Sequence, residues 1–200
     1  YQPIEGVCLA DLVRPVLERH GHAHLLVVGV KPGPVWAGLV QDFPGRIHLQ
    51  DYLPEQQLVA CYQASDIYLD AVPFASPTAM FEAAACGKPV VRYAPADWRA
   101  CEFTQDIDTI PTSLYIWSEP SEYARDIDRL IEDPAFRQWR GQFGARAVRL
   151  YHAEDTFVHA IEAAYERVQN LPPITVREAA TQWQHGRLDA DALGRAQLAQ

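Results

Sequence analysis

Apolar positions change their period several times along the chain, and each change marks an element. Residues 10–20 (ADLVRPVLERH) are apolar at helical spacing, with Asp11 near the start, which predicts a helix. Residues 24–30 (HLLVVGV) form a short continuous apolar run, the pattern of a strand buried on both faces. Residues 35–43 suit a helix, and residues 46–53 (RIHLQDYL) alternate like a strand. Pro54 suits a first helical turn, and that helix runs on to residue 65. Residues 66–72 (DIYLDAV) predict the next strand, and residues 77–86 a helix closed by Gly87. Two more strands follow at 89–93 (PVVRY) and 114–117 (LYIW), then helices over 121–132, 134–151 and 153–170.

Strands alternating with helices predict an α/β fold, a doubly wound, Rossmann-like parallel sheet. At Leu171, Pro172 and Pro173 the helical pattern breaks, because proline lacks the donor that would continue it. The expected organisation is therefore a domain over residues 1–170 and a C-terminal helical extension over residues 171–200. The extension reads as a terminal hairpin that turns at His185 and Gly186.

Composition narrows the function. The chain has 200 residues and a formal net charge of -9, and only Lys31 and Lys88 among its 17 basic residues are lysines. No basic cluster offers a field for a polyanion, so nucleic acid is not an expected partner and any phosphate needs a small local site. Cys8, Cys61, Cys86 and Cys101 form no Cys-x-x-Cys pair, which speaks against a zinc ribbon or a dithiol centre. They read as free thiols of a reducing, cytoplasmic compartment. No run approaches the roughly 20 apolar residues of a membrane span.

The chemistry concentrates in residues 66–95 (DIYLDAVPFASPTAMFEAAACGKPVVRYAP). A loop leaves the carboxyl edge of a buried strand and a helix begins at Ser76 and Pro77, a good N-cap and a good first helical residue. The amides of Thr78, Ala79 and Met80 are expected to point outward, an anion site where open α/β sheets bind ligands. Thr78 adds a hydroxyl, and the small Ser76 and Ala79 allow close approach. Glu82 follows one turn after Thr78 on the same face, and its carboxylate can accept from two hydroxyls at once. A local cap or ion pair near the helix start is the plainer role for that acid.

FEAAACGKPVV resembles the donor-site helix of GT-B glycosyltransferases, whose C-terminal domains carry an acid-Ala-x-x-x-Gly-x-Pro-Val-Val signature. The order of elements over roughly the first 170 residues is similar to that domain. LDAVPFASPTAMFEA is most similar to the O-linked N-acetylglucosamine transferase type. The resemblance implies glycosyl transfer from a nucleoside diphosphate sugar, UDP-linked by the nearest type, to an acceptor that the sequence does not identify as protein or glycan. It assigns Ser76, Pro77, Thr78 and Ala79 to the diphosphate-cradling stretch and Glu82 to the ribose, with Phe74 counted among the donor-binding residues. Asp51, Tyr52 and Leu53 match the turn that grips the base, with Gly29, Val30 and Lys31 facing the same cleft. The donor is a substrate, so no cofactor or metal is expected.

Phe74 stands where the glycogen-synthase type of retaining enzyme has a second glutamate. The family's first strand, the basic residue after it, and the N-terminal acceptor domain have no counterpart in the chain. The expectation is that they precede Tyr1 in the natural protein, that the catalytic base lies there or on the acceptor, and that the chain alone does not catalyse transfer. A helix start contributes only about 0.3–2 kcal/mol towards one anion, so a departing diphosphate needs a cation. Lys31, Lys88 and Arg92 are the local candidates. A GT-B nucleotide-sugar epimerase fragment, or a degenerate interaction domain without activity, are the alternatives.

Other signals read as structural. His20, His22 and His24 suit surface histidines better than a metal site. Asp126 and Asp128 fall on the solvated edge of an amphipathic helix, Asp106 and Asp108 follow no strand, and Trp98, Trp117, Trp139 and Trp183 suit packing.

Overall fold

The structure, a computed structural model, describes residues 7–72, 75–95 and 114–171. Twelve elements appear among them in the expected alternation. They are α1 (Leu9–Arg19), β1 (Leu25–Val28), α2 (Pro34–Asp42), β2 (Ile47–Gln50), α3 (Glu55–Ala64), β3 (Tyr68–Leu69), α4 (Pro77–Ala85), β4 (Val90–Tyr93), β5 (Leu114–Trp117), α5 (Pro120–Glu132), α6 (Pro134–His152) and α7 (Glu154–Gln169). By contacts the chain forms two compact units, Tyr1–Phe157 and Val158–Gln200, with the division inside α7. The expected tail beyond residue 171, with Trp183, lies outside the described residues, as do Trp98, Cys101, Asp106 and Asp108. Among the described residues no helix is long and apolar enough to cross a membrane.

All strand pairs are parallel. They form two sheets rather than one continuous sheet, β1-β2 and β3-β4-β5. A common core spans the break. The apolar face of α1 (Leu9, Leu12, Val13, Val16, Leu17) packs with Val27 of β1, Val91 of β4, and Tyr123, Ile127 and Leu130 of α5. The Arg46 guanidinium closes the carboxyl end of α1 by donating to the carbonyls of Leu17, His20 and Ala23 at 2.7–2.9 Å.

β1 differs from expectation. Val27 is buried, but Leu26 on the opposite face is 42% exposed, so only one face of the strand meets the core. Asp126 differs more sharply. It is no solvated-edge residue: it is buried, takes the Arg140 guanidinium at 2.6 and 2.8 Å, and accepts from Trp117 Nε1 at 3.0 Å. Arg140 also donates to the Val90 carbonyl at 3.0 Å, so one buried pair ties α5, α6, β4 and β5 together. Asp128 pairs with Arg19 and with the nearly buried His20, which is therefore not a surface histidine. Trp139 is 52% exposed and stacks on Phe136 and Phe143 along α6 rather than packing into the core.

Candidate functional site

The segment with site chemistry begins where β3 ends. Tyr68 and Leu69 pair with Val90 and Val91, and the Asp70 amide extends the ladder by donating to the Val91 carbonyl at 2.9 Å. The chain then leaves the sheet and returns at Ala75. Pro73 and Phe74 lie outside the described residues, so the role expected of Phe74 is neither met nor refused.

Asp70 organises the return. Its carboxylate is buried, at 1% exposure, and accepts the Ser76 amide at 3.2 Å on one oxygen and 3.4 Å on the other. Tyr68 donates its hydroxyl at 3.4 Å, and Arg92 Nε stands 3.5 Å away. Burial pushes the Asp70 carboxyl up to about 6, against the opposing pull of the Ala71 and Ser76 amides, Arg92 and Tyr68. The aspartate thus closes the loop by holding the residue just before α4.

This changes two expectations for the helix start. Ser76 does flank α4, but its side chain makes no cap hydrogen bond; its amide is held by Asp70 instead. The Met80 amide is not free either, because it donates to the Ser76 carbonyl at 2.9 Å as the first helical bond. That leaves Thr78 and Ala79, whose amides meet no acceptor among the described residues. Pro77 and Thr78 are exposed and Ala79 is half-buried, so this end of α4 faces outward. Gly87, at φ 74°, ends the helix as its sequence position predicts, donating its amide to the Ala84 carbonyl at 2.8 Å.

Glu82 lies on the exposed side of α4, one turn beyond Thr78. Its Oε2 accepts the hydroxyl of Tyr62, a buried residue of α3, at 3.1 Å. Burial first, and the Glu82 carboxylate second, push the Tyr62 phenol far above its ordinary value, so it stays a donor. Asp51, Tyr52 and Leu53 form the loop between β2 and α3. Tyr52 is 82% exposed, and its amide is turned onto the Asp51 carboxylate at 2.8 Å. Gly29, Val30 and Lys31 follow β1 directly, and the Val30 amide donates to the Gln50 carbonyl at 3.1 Å, joining the two strand ends.

Of the three expected cations, Lys31 is exposed after β1 and the other two are engaged elsewhere. Arg92 is 1% exposed and lies against Asp70, and Lys88 donates to the Gln63 carbonyl at 2.9 Å past the far end of α4. Sequence patterns passed over Asp70 and Tyr62. An acid closing a strand before a loop of small residues is a signal for the first. Nothing local marks the second, whose partner is 20 residues away.

Residues 9–166 match the glycosyl transferase-like family. No curated protein sequence matches the chain. Two solved structures share the fold. An O-GlcNAc transferase variant from Thermobaculum terrenum has a TM-score of 0.59 and 22% identity over 80% of this chain and 32% of its own. The sucrose-phosphate synthase of Thermosynechococcus elongatus has a TM-score of 0.60 and 19% identity over 80% of this chain and 42% of its own. This chain therefore spans less than half of either neighbour, and identities this low speak for fold alone. The parallel sheets flanked by helices are those of the GT-B Rossmann-like fold, and with most of its length matched the chain belongs to the glycosyl transferase-like family.

Proposed function

We propose that this chain is the donor-binding part of a glycosyltransferase and that it holds a nucleoside diphosphate sugar, UDP-linked, at the start of α4. One observation carries the reading. The amides of Thr78 and Ala79, which meet no acceptor among the described residues, and the carboxylate of Glu82 lie one turn apart on an outward-facing helix start that follows a parallel strand and its loop. The amides and the Thr78 hydroxyl take the diphosphate, and Glu82 accepts from the ribose hydroxyls. The loop at Asp51, Tyr52 and Leu53 holds the base through its backbone.

In transfer, the bond from the sugar's anomeric carbon to the diphosphate breaks, and negative charge grows on the departing oxygen. Fixed amides at a helix start oppose that charge without having to reorganise. Lys31, exposed after β1, is the described cation assigned to help. The reading assigns no metal or resident cofactor. The acceptor, protein or glycan, and the base that activates it are assigned to a further domain.

Calorimetric titration with UDP and UDP-sugars tests the site. Glu82→Ala removes a charged acceptor, worth about 1.5–3 kcal/mol, and is expected to weaken UDP roughly 10- to 100-fold. Thr78→Ala removes one neutral donor and is expected to cost roughly 2- to 10-fold. Unchanged affinity in both variants, or no saturable UDP binding by the full-length protein, overturns the reading.

A further inference from the structure

We propose that Tyr62 is a positioning residue for donor binding, fixing the Glu82 carboxylate in the orientation that receives the ribose hydroxyls. The proposal rests on reading Glu82 as the ribose acid.

A glutamate on an exposed helix face samples many rotamers, and ordering it on binding costs affinity. Glu82 is constrained before any ligand arrives. Its Oε2 accepts from Tyr62 at 3.1 Å, and the Tyr62 ring is buried at 6% exposure. That ring packs in the cluster of Met80, Ala83, Ala84, Val90 and Val148, so the hydroxyl's place is set by the core, not by solvent. With Oε2 engaged, Oε1 remains for a vicinal diol, which turns a mobile carboxylate into a directed acceptor.

The constraint continues towards the helix start. Tyr62 meets Tyr68 edge to face, with centroids 5.9 Å apart and planes at 66°. Tyr68 donates to Asp70, and Asp70 accepts the Ser76 amide. The ribose acid and the phosphate-facing end of α4 are thus braced by one chain of contacts that runs beneath the helix.

The test compares UDP with 2′,3′-dideoxyuridine diphosphate on wild type, Tyr62→Phe, Glu82→Ala and the double variant. Phenylalanine keeps the packed ring and removes only the hydroxyl. The expected result is a loss of about five-fold in UDP affinity for Tyr62→Phe, the scale of one hydrogen bond. The dideoxy ligand is expected to bind both proteins equally, and the double variant to bind UDP no worse than Glu82→Ala. The ratio of the two affinities does not change with the fraction of protein folded, so it separates positioning from a general loss of stability. Equal weakening of both ligands, or no weakening of either, overturns the role of Tyr62 while the Glu82 reading stands. A Glu82→Ala protein that binds UDP like wild type overturns both.

Discussion

Asp70 carries a charge where water does not reach it, and that has a measurable sign. Its carboxyl is raised from 3.8 to about 6 because burial outweighs the attraction of the amides and Arg92. A folded-state value above the unfolded one means that the native protein binds this proton more tightly. The group's stabilising contribution is then fully present below the unfolded value and is lost as pH rises through about 6. A shift of that size corresponds to about 3 kcal/mol. The groups around it are Arg92 on β4, Tyr68 on β3, and Tyr123 on α5, whose own phenol is raised by burial and by the charges of Asp70 and Asp126. Asp70→Asn keeps an acceptor for the Ser76 amide and removes the titration. Urea unfolding at pH 4.5 and pH 7 is expected to show wild type losing about 2 kcal/mol more than the variant as pH rises, because pH 4.5 already lies above the unfolded value. A wild-type-to-variant difference that does not vary with pH refutes the assignment.

At the scale of elements, α4 is held at both ends, and the end away from the site shows how tightly. It packs against α6 where Gly141 faces the turn at Gly87. A Cβ on Gly141 would collide with the Gly87 carbonyl oxygen and come within 2.8 Å of its carbon, both backbone atoms with little room to move. Alanine is favoured over glycine within a helix by about 1 kcal/mol, but overpacking against a rigid neighbour costs about 1–3 kcal/mol or more. Gly141→Ala is therefore expected to lower stability by up to about 2 kcal/mol net, while Gln142→Ala on the exposed side stays near wild type. A stabilised Gly141→Ala protein in thermal melts contradicts this close approach. The order of these elements was legible because hydrophobic period, Pro at helix starts and Gly87 at a helix end are local signals. The bonds between elements were not. Asp126 reads as a surface acid until Arg140 arrives from the next helix, and His20 as a surface residue until Asp128 arrives from 108 positions away. In the site, Thr78, Ala79 and Glu82 could be placed from spacing alone. The commitment of Ser76 to Asp70 and of Arg92 to the interior depends on burial, which no local pattern encodes.

For the larger unit, the open question is whether a sheet in two pieces behaves as one body. Strand pairing alone would let β1-β2 and β3-β4-β5 unfold separately, since no ladder hydrogen bond joins them among the described residues. Packing argues otherwise. The buried face of α1 touches α2 and α5, and its side chains share one apolar cluster with Val27 on one sheet and Val91 on the other. Cooperative units follow contiguous burial rather than hydrogen-bond topology alone. Leu17 is 4% exposed in that cluster, and Leu17→Ala is expected to cost about 2–5 kcal/mol through lost burial and the cavity left behind. Because the cluster is shared, that loss must appear equally on both sides of the break. Trp36, buried on α2, reports the first side, and Trp117 on β5 reports the second. In proteins that keep one of these tryptophans at a time, Leu17→Ala is expected to shift both unfolding midpoints together. A shift seen by Trp36 with the Trp117 transition left in place makes the two sheets separate folding units, with the helix start of α4 on the second and the proposed base loop and Lys31 on the first.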